Sequence, residues 1–276
     1  NVWRFIKLQQ LYGATSFAAL VDDPGMVSVI NEAARRHHAK IRLFLDVDLG
    51  MNRTGIAPGE KAYEIYKSIA ESSNLIAGGL HGYDGHVRDL QLPDRIATAR
   101  PGQEEIFALR DRLIKSGLPV PSVVLGGSPS FPTHAVLTDS AVECSPGTLV
   151  LNDTGYGLKF EDLDFPPAAY LLTRVVSRPA QNRLCLDLGH KAVAADPTPP
   201  RARILALPDA EPLGHSEEHL VISCPDTSRF PVGTPLWAVP SHICPTVALH
   251  NWAYVAEGGK IIGRWDVTAR GRVISV

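Results

Sequence analysis

The sequence lacks any apolar run long enough to span a bilayer, and no segment of it has the pattern of a signal peptide. It also lacks charged blocks or tails, because acidic and basic residues are mixed along all 276 residues, with a formal net charge of −2. This balance gives no electrostatic attraction to nucleic acid or to an acidic membrane. We therefore expect a cytoplasmic protein without nucleic-acid or membrane partners.

Cysteine is scarce as well, with four residues in the chain. They are widely spaced, at Cys144, Cys185, Cys224 and Cys244. Scattered cysteines in a long chain are typical of reduced thiols, whereas a disulfide framework needs a denser set. The cysteine content therefore favours a reducing compartment.

What the first half does contain is an alternation of strand and helix patterns. The predicted strands are residues 16–21, 41–48, 75–83, 120–125 and a short one from residue 142, and the predicted helices are residues 3–11, 22–35, 58–72 and 103–116. This rhythm predicts βα units and a parallel sheet.

The second half has a different texture. Beyond about Pro167 the helical patterns fade, and short β-rich runs lie between turn residues. This predicts an antiparallel β domain, with a boundary near residues 164–167. The predicted domains are residues 1–166 and residues 167–276.

Polar residues gather where the predicted parallel strands end. The four groups are Asp46, Asp48, Asn52 and Arg53; His81, Tyr83, Asp84, His86 and Arg88; residues 126–130; and residues 145–148. In parallel α/β folds, ligands bind at the carboxyl ends of the strands. Two of these loops offer glycine N–H groups and hydroxyls suited to a phosphate, namely Gly126, Gly127 and Ser128 in one, and Gly147 and Thr148 in the other.

A separate pattern lies near the far end, where His242 and Cys244 stand one residue apart between Pro240 and Pro245. In an extended segment both side chains would leave the backbone on the same face. An imidazole beside a thiolate is half of a tetrahedral zinc site, although such a pair is more often packing than a metal site.

Several motifs together resemble one enzyme family. They are DVDLGMNRTG at residues 46–55, GLHGYDGH at residues 79–86, LGGSPS at residues 125–130, ECSPGT at residues 143–148, DLGHK at residues 187–191 and H-x-CPT at residues 242–246. In this order they resemble the D-threonine aldolase and D-serine dehydratase branch of the fold-type-III, alanine-racemase-like pyridoxal-phosphate enzymes. The resemblance runs from about Asp22 to Arg272.

The resemblance implies a TIM-type (β/α)8 barrel that holds pyridoxal 5'-phosphate, followed by a β domain that holds a divalent metal, zinc or manganese, in a homodimer. It places the metal on His242 and Cys244. It gives His81, Arg53 and Tyr83 catalytic roles beside the cofactor, with Arg53 near the ring hydroxyl. The expected cofactor-binding residues are Arg53, His81, Tyr83, Arg88, Gly127, Ser128, Gly147 and Thr148.

One departure concerns the lysine that forms the Schiff base, which the family carries at the end of its first barrel strand. Five βα units are predicted here, where a closed barrel has eight. None of the lysines stands in a first-strand context, and Lys191 matches a different motif. We expect that an upstream part with the lysine strand belongs to the protein. The alternative is a truncated, inactive relative.

The expected chemistry is cleavage of β-hydroxy-D-amino acids. Pyridoxal phosphate stabilises a carbanion at Cα, and a metal with open positions binds the β-hydroxyl. Retro-aldol cleavage gives glycine and an aldehyde, whereas loss of water gives a 2-oxo acid and ammonia. A His-x-Cys pair is typical of the family's zinc dehydratases, but the GYDGH loop favours the aldolases. We therefore expect an aldolase, with a D-serine or D-3-hydroxyaspartate dehydratase as the alternative.

Three other hypotheses stay open. An amino-acid racemase has no use for a metal. A non-catalytic pyridoxal-phosphate-binding protein of this barrel type has no β domain. A pseudoenzyme would lack the lysine altogether.

Overall fold

The computed structural model describes residues 1–271 and divides the chain into two compact units. The first unit runs from Asn1 to Gly147 and the second begins at Thr148. The domain boundary after residue 166 stays a prediction of the sequence. The last five residues of the predicted β domain, residues 272–276, lie outside the described residues.

The first unit is built on a five-stranded sheet in which all neighbours pair in parallel and in chain order. Its strands are β1 (Ala18–Val21), β2 (Ile41–Asp48), β3 (Leu75–Tyr83), β4 (Val123–Leu125) and β5 (Val142–Cys144). Helices precede and connect these strands, namely α1 (Val2–Leu11), α2 (Pro24–Arg36), α3 (Glu60–Glu71), α4 (Leu92–Lys115) and α5 (Phe131–Ala135). The predicted βα arrangement is confirmed.

Local chemistry explains where these helices begin. The carboxylate of Asp23 accepts the N–H of Met26 at 2.8 Å, and Pro24 occupies the first helical position of α2. Helix α4 begins eleven residues before the predicted Gln103 and contains Pro101. Its buried side has helical spacing, but it starts with Arg95, Ala99 and Gly102, so an apolar periodicity is missing from the first three turns.

The core of the first unit lies between sheet and helices. Leu43 and Leu45 on β2 and Leu80 on β3 are fully buried. Strands β3 and β4 approach very closely at Gly79, which has a φ of +128° and where an added Cβ would lie 1.8 Å from the carbonyl oxygen of Ser122. Only glycine fits this position.

The second unit is mainly β. After α6 (Thr154–Gly157), six strands form an antiparallel sheet in the order β8-β11-β6-β7-β10-β9. They are β6 (Leu171–Ala180), β7 (Arg183–Leu186), β8 (Ala202–Ile204), β9 (Pro212–His215), β10 (Leu220–Ser223) and β11 (Pro235–Pro240). Helix α7 (Ile243–Ala248) and the hairpin of β12 (Trp252–Glu257) and β13 (Lys260–Asp266) follow. The predicted antiparallel sheet is confirmed.

Two further observations concern the side chains and helices as a whole. The four cysteines are free thiols, and Cys244 is the exposed one. Within residues 1–271, the helices are either too short or too polar to cross a membrane.

Candidate active site

Asp46 and His81 form a hydrogen-bonded pair at the carboxyl ends of β2 and β3. They are register partners on the two strands, and His81 Nδ1 lies 2.6 Å from Asp46 Oδ1. Because a carboxylate only accepts, Nδ1 carries a hydrogen and Nε2 points away from the pair. The sheet thus presents one imidazole in a fixed orientation.

The loop after β2 brings Arg53 to Tyr83. Asp48 Oδ1 accepts the N–H groups of Gly50 and Asn52, both at 3.0 Å, and this fixes the turn. The guanidinium of Arg53 then lies 4.5 Å from the centre of the Tyr83 ring, which is a cation–π contact. Arg53, Tyr83 and His81, the three predicted catalytic residues, all lie at or beyond the ends of two paired strands.

The turn after β4 packs against Tyr83. A Cβ added at Gly127 would lie 3.2 Å from a ring carbon of Tyr83, so the missing side chain permits this approach. The N–H groups of Gly126 and Gly127 are already used, since they donate to Gly82 O and to Ser130 Oγ, each at 3.0 Å. Gly127 therefore has a spacing role beside Tyr83, and its predicted place in the cofactor site stays a prediction.

The remaining predicted cofactor residues are placed as follows. Ser128 is buried in the turn after β4. Arg88 is exposed and donates from Nε to Gly85 O at 2.8 Å. Gly147 is exposed, and a Cβ added there would have no described neighbour within 4 Å. Substitution of Gly147 is therefore not opposed by packing.

In the second unit, His242 is held by Asp196. His242 Nδ1 lies 2.5 Å from Asp196 Oδ2, which leaves Nε2 for another partner. The thiol of Cys244 is exposed and lies 3.6 Å from Thr148 Oγ1. A carboxylate on the far nitrogen of a histidine is the usual outer partner of a metal-binding imidazole.

The backbone around this pair differs from the extended segment that the sequence predicted. His242 is the extended N-cap of α7, and Cys244 is already the second residue of that helix. The physical reason is that Pro245 lies in the first turn, where its missing N–H costs nothing. Asp153 also stabilises this start by accepting the N–H of Ile243 at 2.9 Å. The shared face of an extended strand is therefore a wrong premise for the pair.

The donor types nevertheless fit a divalent metal. Within residues 1–271, no three His, Cys, Asp or Glu side chains are grouped as a metal site. The imidazole of His242 is oriented through Nδ1, and a nearby exposed thiol is the second donor of the predicted set. Borderline-soft Zn²⁺ is the ion that imidazole and thiolate prefer.

Three residues that support these groups were not predicted from the sequence, namely Asp196, His134 and Gln103. Asp196 lies in the loop between β7 and β8, 46 residues before its partner, and no spacing rule connects the two. His134 and Gln103 belong to a buried polar network around Asp84. Asp84 itself was visible as a polar residue directly after β3.

Two family models match the chain. The family model "Alanine racemase, N-terminal domain" matches residues 7–153, and "Putative serine dehydratase domain" matches residues 168–256. D-threonine aldolase of Arthrobacter sp is 27% identical over 268 residues, which cover 96% of this chain and 70% of the relative. 3-Hydroxy-D-aspartate aldolase of Paracoccus denitrificans is 29% identical over 276 residues, covering 94% and 68%.

The same holds for solved structures. The crystal structure of D-threonine aldolase from Filomicrobium marinum has a TM-score of 0.83 and 28% identity, and the match covers 96% of this chain and 73% of that one. The family model and the fold place the chain among the pyridoxal-phosphate enzymes of the alanine-racemase-like class. Within that class, the chain belongs to the D-threonine aldolase and D-serine dehydratase family, whose relatives found here are lyases. The resemblance of the motifs is thereby confirmed.

Proposed function

We propose that the protein is a pyridoxal-phosphate- and divalent-metal-dependent lyase that cleaves β-hydroxy-D-amino acids to glycine and an aldehyde. The observation that carries this proposal is the similarity to two aldolases over at least 94% of the chain, across both units. Bound pyridoxal phosphate would supply an electron sink for the pair left at Cα when the Cα–Cβ bond breaks. A metal ion would supply a Lewis acid for the β-hydroxyl.

The residues of the first unit would orient the cofactor. His81, held through Nδ1 by Asp46, offers Nε2 in one direction only. Arg53, stacked on Tyr83, presents guanidinium donors suited to the ring hydroxyl. Ser128, Gly147 and Thr148 would surround the phosphate, and Arg88 belongs to the loop that faces cofactor and substrate.

The residues of the second unit would hold the metal. Asp196 keeps Nδ1 of His242 occupied, so that Nε2 would be the atom that holds the metal. Cys244 would bind as a thiolate and is open to solvent. A metal held by His242 and Cys244 would supply a Lewis acid at one fixed place, and a fixed place for the β-hydroxyl would discriminate between the two enantiomers at Cα. By family, the hand is D.

The test uses the protein made from its complete coding sequence. D-threonine should give glycine and acetaldehyde, L-threonine should give almost none, and a chelator should remove the activity until Zn²⁺ or Mn²⁺ is added. Equal turnover of both enantiomers, or full activity after exhaustive chelation, would overturn the mechanism.

A second candidate is a D-serine or D-3-hydroxyaspartate dehydratase. It is favoured by the thiol at Cys244 and by the serine dehydratase domain match. Ammonia and 2-oxobutanoate from D-threonine, in place of glycine and acetaldehyde, would establish it. We further propose a cytoplasmic location, in keeping with four free thiols. A homodimer is proposed as well, from the family resemblance.

A further inference from the structure

A buried polar network lies directly behind the turn after β4. Asp84 Oδ1 accepts the hydroxyl of Ser130 at 2.5 Å, and Asp84 Oδ2 lies 2.7 Å from His134 Nε2. Asp84 is 3% exposed, Ser130 0% and His134 1%. The carboxylate bridges the other two side chains, so this is not the order of a catalytic triad, in which the histidine lies between them.

The proton positions in this network follow from Gln103. Its Nε2 lies 3.2 Å from Thr133 O and 2.9 Å from His134 Nδ1. A carbonyl oxygen only accepts, so the group that faces Thr133 is the NH₂ end of the amide, and it also donates to His134 Nδ1. Nδ1 is therefore unprotonated, and the single ring hydrogen on Nε2 is donated to Asp84.

Asp84 consequently accepts two hydrogen bonds, one on each carboxylate oxygen. Ser130 connects Asp84 to the turn after β4. Its hydroxyl oxygen accepts the N–H of Gly127 at 3.0 Å, and its hydrogen is donated to Asp84. Gly126 completes the fit, since an added Cβ there would lie 3.0 Å from the His134 ring. Buried charge-assisted bonds of this kind fix geometry strongly.

We infer that Asp84 is a positioning residue for the turn that carries Ser128, and that it thereby sets the affinity for a phosphate monoester. This inference rests on the proposed function, because Ser128 is there assigned to the phosphate of the cofactor. Asp84 is buried, and its two described side-chain hydrogen bonds go to Ser130 and His134. It acts through Ser130 and the N–H of Gly127, which hold the turn in place.

The experiment compares two ligands, pyridoxal phosphate and pyridoxal, by absorbance and fluorescence titration of the complete protein. In Asp84→Asn the side chain keeps a single acceptor oxygen, so one of the two hydrogen bonds loses its acceptor. Affinity for pyridoxal phosphate should fall by about tenfold or more, while affinity for pyridoxal should stay within about twofold. Ser130→Ala should act in the same direction, because Gly127 N–H loses its acceptor, and it serves if Asp84→Asn fails to fold.

Ser122→Ala is the matched control. It removes a buried serine that donates to Glu143 at 2.7 Å, directly before β4 and so at the opposite end of that strand. It should leave the preference for pyridoxal phosphate unchanged. Asp84→Asn and Ser130→Ala variants that keep the wild-type preference would overturn the inference and leave the proposed function standing. A wild type that does not prefer pyridoxal phosphate to pyridoxal would overturn both the inference and the proposed function.

An independent readout needs no cofactor. In the ¹⁵N spectrum of the wild type, the ring signals of His134, assigned by their loss in His134→Asn, should show a hydrogen on Nε2 and none on Nδ1. A hydrogen on Nδ1 would contradict the network from which the inference is drawn.

Discussion

Each unit contains an aspartate–histidine pair that is joined through Nδ1 of the imidazole, Asp46–His81 in the first and Asp196–His242 in the second, and these two pairs can be compared atom for atom. In both, Nδ1 of the imidazole meets a carboxylate oxygen, at 2.6 Å for His81 and 2.5 Å for His242. The side chains of His81 and Asp46 are 19% and 10% exposed, whereas those of His242 and Asp196 are 38% and 52% exposed. The same chemistry is thus placed in two different surroundings.

The supports of the two pairs also differ. Asp46 and His81 are register partners in a parallel ladder, so backbone hydrogen bonds hold them together. His242 and Asp196 depend on loop contacts, in which Ser241 N donates to Arg201 O at 2.8 Å and Arg201 Nε donates to Pro197 O at 3.1 Å. We expect the first pair to affect folding and the second to affect ligand binding.

The largest expected difference is in metal binding. His242→Ala should abolish stoichiometric Zn²⁺ binding, because it removes one of two protein ligands, whereas His81→Ala should leave it intact. Equilibrium dialysis followed by metal analysis measures this directly. One equivalent of tightly held zinc in His242→Ala would show that the metal lies elsewhere.

A smaller effect on metal affinity is expected from replacing Asp196, whose carboxylate accepts from His242 Nδ1. Asp196→Asn should lower Zn²⁺ affinity by about 10- to 100-fold, because the imidazole loses the carboxylate that orients it. Competition with a chromophoric chelator gives the affinity. Asp46→Asn is the control in the other pair, and an equal loss of affinity there would remove the distinction between the two pairs.

For the free energy of unfolding we expect the opposite order, with a larger effect from the Asp46–His81 pair than from the Asp196–His242 pair. Asp46→Ala leaves a partly buried Nδ1–H without its acceptor and should destabilise the protein by about 1–3 kcal/mol. Asp196→Ala should change the unfolding midpoint little, since exposed pairs contribute little. Urea unfolding followed by circular dichroism measures both. If Asp196→Ala were the more destabilising, the loop pair would be the structural one.

The smallest expected effect is on the pH dependence of stability, through His215. Its Nδ1 lies 3.3 Å from Nη1 of Arg201, the residue that supports the loop of Asp196. Burial lowers the pKa of His215 below its ordinary 6.5, aided by the nearby charges of His190 and Arg201 and opposed by its hydrogen bond to Leu188 O. The folded state therefore favours neutral His215. Its contribution to stability is complete above pH 6.5 and is lost as the pH falls through the lowered pKa.

The corresponding variant is His215→Gln. It should show a shallower decline in stability between neutral and acidic pH than the wild type, measured by urea midpoints at several pH values. An unchanged slope would mean that another group titrates with unfolding in this range.

The parts of the fold that the sequence predicted best are its buried strands. The bounds of β2 and β3 were predicted without error, because both are nearly continuous buried runs that end in polar residues. The first turns of α4 were missed, since their buried positions hold arginine, alanine and glycine. Burial there comes from tertiary packing, which the residue types do not reveal.

The site shows the same division. Asp46, His81, Arg53 and Tyr83 were visible as polar groups near strand ends, because adjacent parallel strands end at one edge of the sheet. Asp196 was not, since a loop approaches His242 only after the antiparallel sheet has formed. His242 and Cys244 were correctly noted as a pair, but their backbone was not, because Pro245 was taken as a limit of an extended segment and lies inside a helix.

Asp153 has a consequence for the order in which the chain is assembled during synthesis. Its two carboxylate oxygens accept from Tyr156 N and from Ile243 N, so one residue serves the starts of both α6 and α7, and Ile243 lies 90 positions after Asp153. At about 5–20 residues per second, a ribosome needs roughly 5–18 s to make the intervening chain. The parallel sheet pairs strands in chain order and can form as they emerge. Helix α7, which carries Cys244 and begins at Ile243 after its N-cap His242, acquires the hydrogen bond from Ile243 N to Asp153 only after this intervening stretch has been made.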